Sequence, residues 1–283
     1  MIVRVADKCG FCHGVRTAIK TAEEALNRTE GCVCSLGPVI HNSDEVERLE
    51  KKGLRVIDTL QQGQDQIVLI RSHGAAPREI NTLRDLGAEI VDATCVLVKR
   101  LQQIAKQLED EGYQLLIIGE ENHPEVQAVM GCVEKALVIG CQQDLNKIPA
   151  YAKLGIVSQT TQDPDYVAEV LGNIEKHDYR ELRIINTLCK ESCKRQKAAA
   201  HLCQQVDIMF VLGGLNSANT TRLAQICRKL NPKTFHLQSF RDLDTSLLAG
   251  IQTAGVTAGA STPDWIINEF VQNLEILDSR ESL

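Results

Sequence analysis

Residues Lys8 to Val15 read KCGFCHGV, two cysteines in C-x-x-C spacing between an apolar run and a helical pattern. That spacing suits a thiol–disulfide pair, two metal ligands, or one ligand beside a bystander. The chain carries eleven cysteines. A reducing compartment disfavours structural disulfides, so metal binding and thiol chemistry gain weight. Cys32, Cys34, Cys132, Cys141, Cys203 and Cys227 fall inside apolar strand-like or helix-like patterns and are assigned to packing. Cys9, Cys12, Cys95, Cys189 and Cys193 remain. Three of these, Cys12, Cys95 and Cys189, each follow a β-rich run and precede a helical pattern. Helix N-termini favour the thiolate form that binds metal. Three thiolates without a fourth in register would leave one position open on a metal or cluster, where substrate could bind. Zinc on three thiolates is the competing reading, and forcing Cys9/Cys12 and Cys189/Cys193 into a four-thiolate site would leave Cys95 unexplained. A fourth ligand from Cys9 or Cys193 would close the open position.

Polar groups recur in similar places. VIHNS holds His41, RSHGAAP holds His73, and ENHPEV holds His123 and Glu125. SQTT holds Thr160, NSANTT holds Ser217 and Asn219, and AGASTPD holds Ser261. Each by itself has a bland reading. Ser and Asn before a helix are ordinary caps, a single histidine is more often structural than catalytic, and a first-turn glutamate answers the helix dipole. Jointly, three histidines and several hydroxyl or amide groups at strand ends describe a donor-rich cavity suited to an anion, above all a phosphate group.

The elements that must position these residues alternate. QIVLIRS (66–72) precedes PREINTLRDLG. EIVDAT (89–94) precedes VLVKRLQQIAKQLEDEG, whose apolar residues recur at helical spacing and whose end is a glycine. QLLIIGE, LGIVSQ, LRIIN, DIMFVLGG and GVTAG are further short runs of buried-strand type, and IVRVA is a short apolar run. Repeated βα organisation predicts an α/β protein with mostly parallel sheets. Strand ends in such sheets are where ligands collect. Three units, each delivering one cysteine from a strand end to a helix start, would suit pseudo-threefold symmetry. The expected domains are 13–95, 96–189, and 190–283 together with 1–12.

The bulk numbers fit a globular protein of this kind. The chain has 283 residues, 43% hydrophobic, with a formal net charge of −6. The acidic balance argues against a nucleic-acid partner. No signal peptide and no apolar run of membrane-spanning length are present, so the expectation is a cytoplasmic protein with no membrane partner.

GFCHGV, VIHN, RSHG, DATC, NHPEV, SQTT, RQKAA, NSANTTRL and GVTAGASTPDW, in this order, resemble the 4-hydroxy-3-methylbut-2-enyl diphosphate reductase family, iron–sulfur enzymes of the non-mevalonate isoprenoid pathway. The resemblance spans nearly the whole chain. It implies three α/β domains around a central cluster. It further implies that Cys12, Cys95 and Cys189 hold a 4Fe–4S cluster with one open iron. His41, His73 and His123 would form the diphosphate cavity. Thr160, Ser217, Asn219 and Ser261 would hydrogen-bond the substrate. Glu125, helped by Thr160, would deliver protons. The implied partners are a small allylic diphosphate and an external one-electron donor of ferredoxin or flavodoxin type. The chain departs from the family pattern at Cys9, His13, Val96, Ser192, Cys193 and Ala218. A paralogous iron–sulfur reductase or electron-transfer protein of the same fold, with an altered substrate or a fourth cysteine ligand, is one alternative. Thiol–disulfide exchange through Cys9 and Cys12 is another.

Overall fold

The computed structural model of the protein describes residues 1–29, 32–150 and 152–281. Strand β1 (Ile2–Val5) opens the chain. A first sheet follows from β2 (Val33–Leu36), β3 (Leu54–Ile57), β4 (Ile67–Ile70) and β5 (Glu89–Asp92), in spatial order β3-β2-β4-β5. A second has β6 (Gln114–Ile118), β7 (Ala136–Ile139), β8 (Ala152–Ser158) and β9 (Tyr179–Ile184), in order β7-β6-β8-β9. The third combines β10 (Ile208–Leu212), β11 (Thr234–Leu237) and β12 (Thr253–Ala258) with β1, in order β1-β12-β10-β11. Every pairing in the three sheets is parallel, as expected of the α/β class.

One topology underlies all three. Counting strands along the chain within each sheet, the spatial order is 2-1-3-4. In the third sheet the fourth place is taken by β1, from the opposite terminus. The strand order reverses between the first and third strands, and such a switch point opens a crevice beyond the carboxyl ends of the strands.

Helices α1 (His13–Arg28), α2 (Ser43–Glu50), α3 (Pro77–Asp85), α4 (Val96–Asp110), α5 (Pro124–Met130), α6 (Pro164–Ile174), α7 (Lys190–Cys203) and α8 (Ala218–Leu230) lie between successive strands, and α9 (Asp264–Glu281) follows β12. Proline opens α3, α5 and α6, where its missing N–H is not needed. None of the described helices is long and apolar enough to cross a membrane.

Alternation along the central strands explains the layers. In β6, Leu115 and Ile117 pack against Leu101, Ala105 and Leu108 of α4, while Leu116 and Ile118 pack against Val170 and Ile174 of α6. In β10, Met209 and Val211 meet α7 and α8, while Ile208, Phe210 and Leu212 meet Ile267, Phe270 and Leu274 of α9. Each such buried side chain contributes about 1.5–3 kcal/mol.

Several expectations need correction. β2, β3, β7 and β11 do not stand out in the sequence. Three of them, β3, β7 and β11, take the same edge place in their sheets, and four residues are too few to show a period. LRIIN is no buried strand: β9 is an edge strand that ends at Ile184, which is exposed. Cys34, Cys203 and Cys227 are buried, but Cys141 is exposed and donates its thiol hydrogen to Asp144.

The chain folds into two compact units. One holds Met1–Val15, His41–Glu45 and Lys190–Leu283, and the other holds Arg16–Ile40 and Val46–Cys189.

Candidate functional site

The unit built on the first two sheets carries the acid–base groups. Glu125 lies in the first turn of α5 and His123 caps that helix, its Nδ1 accepting the Glu125 N–H at 3.2 Å. With Nδ1 an acceptor, the neutral ring carries its proton on Nε2. The His73 ring meets the His123 ring edge-on, centroids 5.6 Å apart. The Glu125 side chain is buried and reaches the loop after β8. There the Thr160 N–H donates to one carboxylate oxygen at 2.6 Å and the Thr160 hydroxyl to the other at 2.8 Å. Burial raises the Glu125 pKa, and the two Thr160 bonds only partly offset it. No cation pairs with this carboxyl among the described residues, so it is not merely a dipole-answering glutamate.

That loop is fixed from both sides. Gln159 accepts the Glu120 N–H at 3.0 Å. Gly119 leaves room for it, since a Cβ there would lie 2.9 Å from the Gln159 side chain. Thr187 takes the Ser158 N–H and gives its hydroxyl hydrogen to the Ser158 carbonyl, which anchors the segment leading to Cys189.

The other unit carries amide and hydroxyl donors. Ser217 caps α8, accepting the Thr220 N–H. Asn219, in the first turn, is buried. Its Oδ1 accepts the Ser192 hydroxyl at 3.2 Å, and its Nδ2 has no partner among the described residues. The Ser261 hydroxyl donates to the His41 carbonyl at 3.1 Å. Gly214 lets that carbonyl approach, since a Cβ there would lie 2.6 Å from it. The same turn is held by Asn42, which accepts the Glu45 N–H, and by Trp265, whose indole donates to Glu45.

The two cysteines of KCGFCHGV have different surroundings. Cys9 packs against the apolar cluster of α9 and lines a cavity of about 340 Å³ with Val5, Ile267 and Val271. Burial pushes its thiol pKa up. Cys12 heads α1, its sulfur accepting the Val15 N–H at 3.4 Å. No hydrogen bond joins the two thiols among the described residues. Between them, Gly10 at φ +76° passes close to Asp264, and its carbonyl takes a 2.6 Å bond from buried Arg195.

A single hydrogen bond recurs at all three candidate ligands. The Cys12 N–H donates to Ala260 at 3.1 Å, Cys95 to Ser72 at 3.0 Å and Cys189 to Thr160 at 2.8 Å. Ala260, Ser72 and Thr160 each lie two residues beyond the third strand of their sheet, and each cysteine follows the fourth. None of the three cysteines is in a disulfide among the described residues, and each stands at the start of a helix, α1, α4 and α7. His41, His123, Ser217 and Asn219 follow the first strands, and His73, Thr160 and Ser261 the third. Every candidate residue except the cysteines therefore comes from the two strands flanking a switch point.

Two contributors escape motif reading. Ser192 sits in a helix whose buried face is partly polar, holding Ser192, Arg195 and Gln196 beside Ala199, Leu202 and Cys203, so apolar spacing does not reveal it. Gln159 sits beside Thr160 in SQTT, and only its bond to Glu120 reveals its task.

Comparison with known proteins gives a consistent result. Residues 3–275 match the family described as LytB protein. The 4-hydroxy-3-methylbut-2-enyl diphosphate reductase of Aquifex aeolicus is 39% identical over 275 residues, covering 96% of this chain and 95% of that protein. The enzyme of that name from Syntrophotalea carbinolica is 40% identical, covering 97% and 98%. Among solved structures, (E)-4-hydroxy-3-methyl-but-2-enyl diphosphate reductase, described as the terminal enzyme of the non-mevalonate pathway, is 38% identical with a TM-score of 0.72 over 97% of this chain and 99% of that one. The Plasmodium falciparum E-1-hydroxy-2-methyl-but-2-enyl-4-diphosphate reductase is 27% identical with a TM-score of 0.91 over 96% and 87%.

Proposed function

Since the chain belongs to the LytB protein family, we propose that it is the oxidoreductase for which its relatives are named. It reduces 4-hydroxy-3-methylbut-2-enyl diphosphate to isopentenyl and dimethylallyl diphosphate. Two electrons and two protons enter, the allylic C–O bond breaks, a C–H bond forms, and water leaves. The observation that carries the reading at the level of chemistry is buried Glu125, bonded twice by Thr160 and paired with no cation among the described residues.

Cys12, Cys95 and Cys189 suit a 4Fe–4S cluster. None is in a disulfide among the described residues, each is backed by the same main-chain bond, and each stands at a helix start where the dipole favours negative charge. When bound, the cluster supplies electrons one at a time and, with three protein ligands, an iron position for substrate. The packing of Cys9 against α9 supports leaving it out of the ligand set.

The remaining work belongs to side chains. Burial keeps a proton on Glu125 closer to neutral pH, where it can be given to the departing hydroxyl. The Thr160 hydroxyl holds that carboxyl in place and can pass the proton on. His41, His73 and His123 would donate ring N–H groups to the diphosphate, with Ser217 and Asn219 at the α8 N-terminus donating to its oxygens. Ser261 seats the His41 backbone by giving it its one hydroxyl hydrogen, and it would bond the substrate by turning that hydrogen to a phosphoryl oxygen. This arrangement binds an anion without lysine, in keeping with an acidic protein.

The electron source is an external ferredoxin- or flavodoxin-type carrier, and the setting is cytoplasmic. The three-domain division at 13–95, 96–189, and 190–283 with 1–12 is supported by one complete four-stranded sheet in each span. Anaerobic purification, iron and sulfide analysis, and turnover with a strong one-electron donor test the function. Formation of both five-carbon diphosphates is expected. No turnover with an intact cluster would overturn the proposal.

A further inference from the structure

We infer that Ser192 is a positioning residue for the substrate diphosphate, acting through the side-chain amide of Asn219. The inference rests on the reading of Asn219 as a diphosphate donor. Ser192 lies in the first turn of α7, three residues beyond Cys189, and is buried. Its hydroxyl is 3.2 Å from Asn219 Oδ1. An amide oxygen only accepts, so the hydroxyl donates. The other end of the amide, Nδ2, is buried with no partner among the described residues.

A buried amide that gives its N–H groups to a phosphoryl oxygen needs a donor for its own oxygen. Without one, binding the anion leaves a buried acceptor unpaired. Turned the other way, the amide would present a lone-pair oxygen to a negatively charged group. Ser192 removes that conflict. Its bond to Oδ1 is compatible with the amide orientation that serves an anion, and the two bonds polarise each other in the same sense. Sequence spacing does not suggest the partnership, because the two residues stand 27 apart.

The test uses cluster-loaded Ser192→Ala, Ser192→Thr, Asn219→Ala and the Ser192→Ala/Asn219→Ala double variant. Michaelis parameters are measured with the allylic diphosphate, and inorganic diphosphate binding is measured by calorimetry. Ser192→Ala should raise KM and the diphosphate Kd about tenfold, with kcat changed by less than about twofold. Ser192→Thr, which keeps the hydroxyl, should behave as wild type. In the Asn219→Ala background, Ser192→Ala should add nothing. Wild-type KM and Kd for Ser192→Ala, with Asn219→Ala weakened, would overturn the role of Ser192 and leave the diphosphate reading of Asn219 standing. Equal losses from Ser192→Ala in both backgrounds would mark a merely structural contribution and overturn it too. Wild-type values for Asn219→Ala would remove the diphosphate reading itself, and this inference with it.

Discussion

Thr160 gives both of its hydrogen-bond donors to Glu125, one to each carboxylate oxygen, at 2.6 and 2.8 Å. These bonds favour the charged form, yet burial outweighs them and the Glu125 pKa is raised. The folded protein therefore binds this proton more tightly than the unfolded chain. The corresponding stability is fully present below the ordinary glutamate pKa and is lost as pH rises through the folded value. Glu125→Gln should keep the fold, because Thr160 can accept from the new amide, and should lose turnover by about a hundredfold or more. Its melting temperature should gain on wild type between pH 5 and pH 8. Thermal melts across that range check the sign, and an advantage that shrinks with pH contradicts it.

Removing only the hydroxyl acts in the opposite sense to removing the acid. Thr160→Ala deletes a bond to the charged carboxyl, so the Glu125 pKa should climb further and the pH–rate profile should move to higher pH. A fall in kcat of about tenfold is expected. Thr160→Ser restores the bond and should restore the profile.

His123 has two tasks that a pair of variants separates. Its Nδ1 caps α5, so His123→Ala should lower stability by about 1 kcal/mol and also raise KM. His123→Asn supplies a capping oxygen but no imidazole, so it should keep the melting temperature and still raise KM.

Gly259 lies against Thr220 so closely that a Cβ there would come 2.0 Å from the Thr220 hydroxyl. Thr220 is fully buried. Gly259→Ala should therefore destabilise the protein by about 3 kcal/mol, read from denaturant midpoints. Adding Thr220→Ala should recover about half of the loss by removing the clashing atom.

The cysteines divide by their surroundings. Cys9→Ala should leave iron and sulfide content at wild-type level, because that side chain packs against α9. Cys12→Ala, Cys95→Ala and Cys189→Ala should each lower both contents and bleach the anaerobic absorption spectrum. A Cys9→Ala protein that loses iron would put Cys9 back among the ligands.

Where chemistry sits at strand ends, the sequence is readable. A buried strand followed by Gly, Pro, His or Thr and then a helical pattern marks His41, His73, His123, Thr160, Ser217 and Ser261 as residues of βα loops, and the structure has them there. The repeated order of strands is only half legible. β3, β7 and β11 are four-residue edge strands without a period, and the β1–β12 pair joins residues from opposite termini. Side-chain partnerships are least legible. A solvated first-turn glutamate and buried Glu125 look alike in the sequence, and what separates them is contact with Thr160, 35 positions away. Ser192 shows in the sequence only as a departure from the family pattern, because helix periodicity registers apolar residues and the inner face of α7 is partly polar.

The borrowed fourth strand bears on how the protein is made. Among the described residues β1 pairs with β12 alone, and the Cys12 N–H bonds to Ala260. Of the three candidate ligands, the first in the sequence thus receives its main-chain partner last, from a residue synthesised after those that support Cys95 and Cys189. The loops that carry Cys95 and Cys189 are closed by partners already translated at that point. A chain that stops before β12 can therefore form this main-chain bond at no more than two of the three candidate cysteines.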